Sequence, residues 1–120
     1  MLLNGGELEG HRVLGRKTIE LMTRNHLPGG QDLTQLSVGA FSETTNEGVG
    51  FGLGFAMTLD ATVNSGGSAG EYYWGGAAST IFWNDPLEDL TVIFLTQLMP
   101  SATFNFRGQL RQLVSSAIID

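Results

Sequence analysis

Apolar and polar positions along the chain fall into runs of different period, and the period assigns each run to an element. Between residues 16 and 25, Ile19 and Met22 stand one helical turn apart among good helix formers. This spacing predicts a short amphipathic helix that begins after Gly15 and ends near His26. Leu27-Pro28-Gly29-Gly30 closes it, because proline disfavours helix in the residue before it and paired glycines mark a turn. No period holds from there to about residue 47, so a loop is expected.

A period of two takes over at Gly48-Val49-Gly50-Phe51-Gly52-Leu53-Gly54-Phe55, where every second residue is glycine. Read as a strand, this run has one apolar face and one bare face, and something must lie closely over the bare one. Either a packed helix or sheet, or a ligand, could fill that role. The run passes into Ala56-Met57-Thr58-Leu59-Asp60, which continues the strand and separates it from a dinucleotide-binding loop that opens a helix. Strand-like runs over 49–60 and 71–84 flank the polar turn Asn64–Gly70 and predict an antiparallel hairpin. A second turn, Asn84-Asp85-Pro86-Leu87-Glu88-Asp89, leads into the β-branched run Leu90–Gln97, which predicts a third strand. From Phe104 to Ile119 the apolar residues Phe106, Leu110, Leu113, Val114, Ala117 and Ile118 recur at helical spacing and predict a helix over one sheet face. The order of elements is therefore a short helix, a three-stranded antiparallel meander and a second helix. That is an α+β arrangement in a single domain over 1–120, with no internal repeat or linker.

Composition agrees with a folded domain, since 42% of residues are apolar and only 15% charged. A net charge of -6 argues against a nucleic-acid partner. Without cysteine there is no disulfide, thiol nucleophile or thiolate metal site. His11 and His26 lack the spacing of a metal pair, so no metal and no cofactor is expected. Met1-Leu2-Leu3 runs at once into Asn4-Gly5-Gly6-Glu7, and no apolar run reaches the length of a membrane span. A soluble chain without a membrane partner is expected, and its compartment stays open.

Candidate chemistry concentrates in Gly70-Glu71-Tyr72-Tyr73-Trp74-Gly75-Gly76-Ala77-Ala78-Ser79-Thr80. Bulky aromatics give way there to glycine and alanine, leaving a backbone that a ligand can approach closely. The run resembles the third active-site motif of the serine β-lactamase-like hydrolases, a superfamily that includes class C β-lactamases and penicillin-binding proteins. The likeness is greatest to the branch with family VIII carboxylesterases, where Trp-Gly-Gly stands in place of Lys-Thr-Gly. Further pieces resemble the C-terminal portion of such enzymes in the same order: residues 2–8, 12–22, His26-Leu27-Pro28, 50–55 and Trp83-Asn84-Asp85-Pro86. The resemblance implies a partial β-lactamase/transpeptidase-like fold. It also implies an oxyanion donor at the Ala77 N–H and a substrate wall made by Trp74, Gly75 and Gly76. Small neighbours suit that role, because an acyl group must come close to a preorganised donor. Where many lactamases carry a lysine this chain has Trp74, which favours neutral esters over β-lactam-like ligands.

The partners of that motif are missing. Lys17 is the only lysine and Leu14 stands three residues before it, so no Ser-x-x-Lys pair exists to supply an activated nucleophile. Ser65 and Ser79 have no base near them in sequence, and Asp85, Glu88 and Asp89 read as a solvated turn rather than an acid–base pair. The chain is thus expected to be the C-terminal piece of a serine hydrolase, silent alone. The alternative is a stand-alone binding or self-assembling module, a homo-oligomer joined through an exposed strand edge.

Overall fold

In a computed structural model the described residues are 1–36, 46–63 and 67–119. Two antiparallel sheets and three α-helices make up the described part of the chain. The smaller sheet pairs β1 (Glu7–Leu8) with β2 (His11–Arg12) across the tight turn Glu9-Gly10, where both residues have positive φ as the twist of a two-residue hairpin requires. Strands of two residues carry too little pattern to be predicted, and none was expected here.

Helix α1 (Arg16–Met22) follows, with Ile19 buried, and agrees with the predicted short helix. A single helical turn, α2 (Leu33–Leu36), lies within the segment expected to be loop. Residues 37–45 of that segment, and Asn64, Ser65 and Gly66 of the expected polar turn, lie outside the described residues.

The larger sheet is a five-stranded meander rather than the three-stranded one expected. Its strands are β3 (Val49–Phe51), β4 (Ala56–Thr58), β5 (Tyr72–Gly75), β6 (Ile81–Asp85) and β7 (Leu90–Phe94), adjacent in chain order. Each of the first two predicted strands is itself a hairpin. The first turns at Leu53-Gly54, where Gly54 has φ +97 and the Gly52 N–H donates to Phe55 O at 2.8 Å. One glycine of the alternating run therefore supplies a left-handed residue for a turn instead of a bare strand face. The second predicted strand turns at Ala77–Ser79, between β5 and β6.

Register explains the core. Phe51, Ala56, Tyr73, Trp83 and Val92 are successive cross-strand partners in one row, and Gly75, Ile81 and Phe94 make the next row on the same face. Val49, Ala56, Tyr73, Ile81 and Trp83 are buried there, with Leu33, Leu110 and Val114 packed against them. Leu110 and Val114 belong to α3 (Phe106–Ala117), whose start is capped by the Asn105 side chain accepting from the Gly108 N–H at 3.1 Å.

Helix α3 does cover a sheet face, with Leu110 and Val114 of the expected stripe packed inward and the rest of the stripe made by arginines. Arg107, Leu110, Arg111 and Val114, at i, i+3, i+4 and i+7, form the inward stripe, while Leu113, Ala117 and Ile118 are exposed. The arginines take inward positions because each finds acceptors beneath the helix, as described below.

The bare side of the glycine-rich run is covered from within the chain. A Cβ on Gly50 would lie 2.7 Å from Asn25 Cγ, and one on Gly52 would run into the Met22 and Arg24 carbonyl oxygens. The exit of α1 thus occupies the space that the missing side chains leave. Of the two occupants considered for this face, packed chain is the one found there.

Candidate functional site

The aromatic-to-glycine run forms the end of β5 and the hairpin that leads into β6. Its neck is set by the Gly76 N–H donating to Thr80 O at 2.9 Å and the Ser79 N–H donating to Gly76 O at 3.1 Å. Neither Ala77 nor Ala78 has positive φ, whereas Ser79 has φ +69. This is a type I turn followed by a left-handed residue, the usual three-residue hairpin loop, with serine where glycine is favoured. Ser79 is held in that conformation by its surroundings: it is buried, and its Oγ donates to Leu98 O at 2.7 Å. The Leu98 N–H donates in return to Ala78 O at 3.2 Å. Ser79 is therefore a clip for the turn, consistent with reading it as no nucleophile.

Only the first half of β5 is paired on both sides. Its register with β4 comprises Ala56 with Tyr73 and Met57 with Tyr72, whereas its register with β6 continues through Trp74 and Gly75. Beyond Tyr73 the outer edge of β5 is thus open among the described residues. Ala77 sits exposed at the end of this edge, and no acceptor among the described residues pairs with its N–H. Trp74 is 39% exposed beside it and meets Phe51 edge-on, with ring centroids 5.2 Å apart. The structure therefore brings Trp74, Gly75, Gly76 and Ala77 together along one edge.

The two glycines serve an internal purpose there. A Cβ on Gly75 would lie 2.7 Å from Arg107 Cζ, and one on Gly76 would lie 2.6 Å from Thr80 Oγ1. Arg107 donates through Nη2 to Gly76 O at 2.5 Å and to Thr80 O at 3.1 Å, bridging the neck of the hairpin from the first turn of α3. Sequence reading missed Arg107. The available signal was its place on the same helical stripe as Leu110 and Val114, where a charge requires a buried partner.

A second buried charge lies one turn along α3. Arg111 pairs with Glu71, the residue that precedes β5, and its guanidinium carbon stands 4.4 Å from the Tyr73 ring centroid and 5.0 Å from that of Trp83. Thr58 Oγ1 also donates to Glu71 Oε1 at 3.0 Å. Both ends of the motif strand are thereby fastened to one helix.

Other candidates are structural. Asp85 is buried and accepts from the N–H groups of Leu87 at 3.0 Å and Ser68 at 3.3 Å, so it organises turns. His26 is exposed with a ring nitrogen 2.7 Å from Leu21 O at the end of α1, and His11 is exposed on β2. Burial raises the Tyr72 hydroxyl above its ordinary value, which keeps it neutral.

No protein-family model matches the chain. Over 104 residues it is 31% identical to the Mycobacterium tuberculosis protein Rv1367c and equally to the uncharacterised protein MT1414 of another strain, covering 83% of this chain. The chain spans about a quarter of the length of these curated relatives, 25% of each. Among solved structures, EstCE1, a hydrolase with promiscuous acyltransferase activity, matches 94% of the chain with a TM-score of 0.64 and 26% identity, over 26% of its own length. LovD, the simvastatin synthase of Aspergillus terreus, matches 98% of the chain with a TM-score of 0.69 and 21% identity, over 30% of its own length. These are β-lactamase-fold enzymes, and the chain has the fold of the corresponding portion of them.

Proposed function

We propose that the chain supplies one wall of a serine-dependent acyl-transfer site of the esterase type. In this reading the Ala77 N–H is an oxyanion donor, Trp74 flanks the acyl group, and the backbone of Gly75 and Gly76 lines the approach. The single observation that carries it is an N–H without an acceptor, at the exposed end of an otherwise paired hairpin, in the position that the resemblance to the third motif implies. As a nucleophile adds to an ester carbonyl, negative charge gathers on the carbonyl oxygen, and a donor already aimed there stabilises it without reorganising. Nucleophile and base come from outside these residues, since no Ser-x-x-Lys is present. A neutral ester suits Trp74 better than a ligand with an anionic group.

Replacing the matching segment of EstCE1 with this chain tests the reading. The hybrid should hydrolyse p-nitrophenyl acetate, while the 120-residue chain alone should not. Ala77→Pro deletes the N–H without requiring an unusual turn, and should lower kcat of the hybrid by roughly 10²–10³-fold. Turnover by the isolated chain, or full activity in the proline variant, would overturn the proposal.

A second reading, a self-assembling module, draws on β7. Among the described residues this strand pairs only with β6, and Ile93 is 66% and Leu95 78% exposed on or just beyond it. Edges of this kind invite pairing with another strand, from a second copy or from further parts of a longer protein. Light scattering of the chain at high concentration separates the cases: a stable monomer speaks against assembly, and a dimer that Ile93→Lys dissolves speaks for it.

A further inference from the structure

We propose that Arg107 is a positioning residue for the oxyanion donor, acting through the Gly76–Ala77 peptide group. The inference rests on the reading of Ala77 given above. A peptide group is planar, with its C=O and N–H pointing in opposite directions, so fixing one end fixes the other. Here the C=O end is Gly76 O, which accepts from Arg107 Nη2 at 2.5 Å and from the Ser79 N–H at 3.1 Å. Both lone pairs of this oxygen are thus engaged, one by a cation. The N–H end is Ala77, which has no acceptor among the described residues.

Two consequences follow from the chemistry. The pair of donors holds the peptide plane, so the Ala77 N–H cannot swing toward the hairpin interior without breaking a charge-assisted bond. The positive charge on the carbonyl side also draws electron density from the amide and makes its proton a better donor, as hydrogen bonds in series polarise one another. Arg107 further grips Thr80 O at 3.1 Å, the same oxygen that accepts the Gly76 N–H at 2.9 Å, so both strands of the neck are held by one guanidinium.

The surroundings fit this role better than a role in helix stability. Arg107 lies in the first turn of α3, where a positive charge opposes the helix dipole, and no acidic residue offsets it there. Gly75 is bare where the guanidinium lies: a Cβ would stand 2.7 Å from Cζ and 2.8 Å from Nη2. The first glycine of the motif thus makes room for the arginine, and the second forms the peptide that the arginine holds.

Nuclear magnetic resonance of the ¹⁵N-labelled chain tests the inference without any turnover. In Arg107→Met the Ala77 ¹⁵N resonance should move upfield while the amides of Tyr73 and Trp83 stay in place, and Arg107→Lys should restore part of the shift. Gly75→Ala, which displaces the guanidinium, should reproduce the methionine variant. An unmoved Ala77 resonance in a folded Arg107→Met chain would overturn the proposal. If that variant fails to fold, the wild-type chain decides: a scalar coupling between Arg107 Nη and the Gly76 carbonyl carbon supports the contact, and its absence from slowly exchanging guanidinium protons rejects it. In the EstCE1 hybrid, Arg107→Met should lower kcat with little change in KM, by less than the roughly 10²–10³-fold expected for losing the donor itself. A polarised Ala77 N–H in an inactive hybrid rejects the catalytic reading alone, whereas an active hybrid insensitive to Arg107 rejects the positioning role alone.

Discussion

The Arg111 guanidinium pairs with the Glu71 carboxylate beneath the cross-strand neighbours Tyr73 and Trp83, with the two side chains 10% and 1% exposed. Removing either partner leaves the other charged and desolvated, so Arg111→Met should destabilise the chain by about 3–5 kcal/mol. The pair is imperfect, because Glu71 Oε2 and Arg111 Nη2 find no hydrogen-bond partner among the described residues. Desolvation then weighs heavily against the Coulomb gain, and the double variant Glu71→Leu/Arg111→Met should recover most of the loss. Urea denaturation of both variants checks this, and a double variant as weak as the single one contradicts it.

Glycines 50 and 52 should differ in how much they tolerate a methyl group. At Gly50 the obstacle is the Asn25 side chain, whose Oδ1 accepts from the N–H groups of Leu27 at 3.1 Å and Phe51 at 3.2 Å. Moving Asn25 aside sacrifices these bonds, so Gly50→Ala should lose roughly 1–3 kcal/mol. At Gly52 the obstacle is backbone, including Arg24 O at 2.9 Å from the added carbon, and backbone cannot rotate away. Gly52→Ala should therefore fall at or beyond the upper end of that range, about 3 kcal/mol. Thermal melts of the two variants rank them, and equal melting temperatures would contradict the packing described.

How far the sequence was legible depended on whether period or local geometry decided the element. Helical spacing identified α1 and α3, and the β-branched run 90–97 identified β7, because packing against a single face imposes a regular pattern. The turns inside the predicted strands escaped notice. Leu53-Gly54 lies in an unbroken glycine alternation, and Ala77-Ala78-Ser79 turns through a left-handed serine that burial and Leu98 hold in place. Trp74 to Ala77 were recognised as a unit through their resemblance to a motif, but not the reason for the bare α-carbons. That reason is Arg107 and Thr80, and charges on a buried helical stripe read as polar until their acceptors are located.

The β5–β6 hairpin makes a separate prediction about stability. Ala77 occupies the second position of a type I turn, has no left-handed φ, and has an N–H without an acceptor among the described residues. Proline fits that position, so Ala77→Pro should hold or raise stability, by up to about 0.4–1 kcal/mol. A substantial fall in melting temperature would mean that the N–H is engaged after all.

Ser79 inverts the usual effect of trimming a side chain. Ser79→Ala keeps the left-handed backbone under strain and loses the buried bond to Leu98 O, a loss of about 1 kcal/mol or somewhat more. Ser79→Gly loses the same bond but relieves a strain of roughly 1–2 kcal/mol. The glycine variant should therefore be the more stable of the two, and denaturation midpoints in the opposite order would count against the strain.

Acid should weaken the chain in part through Asp32. Its carboxyl is held below the ordinary value of 3.8, first by the Thr34 hydroxyl at 2.5 Å and then by the Gly48 N–H at 3.1 Å, which ties α2 to the start of β3. A carboxyl whose folded value lies below its unfolded value contributes stability that is complete above the unfolded value and disappears as pH falls through the folded one. Glu20, lowered chiefly by its hydrogen bond to Lys17, and Asp60, lowered chiefly by Thr62, act in the same direction. Urea midpoints should thus hold steady through these groups' ionised range and decline below about pH 4. Asp32→Asn removes one contributor, so its decline should be shallower than that of the unsubstituted chain, and parallel curves would show that the carboxyl gains nothing from Thr34 and Gly48.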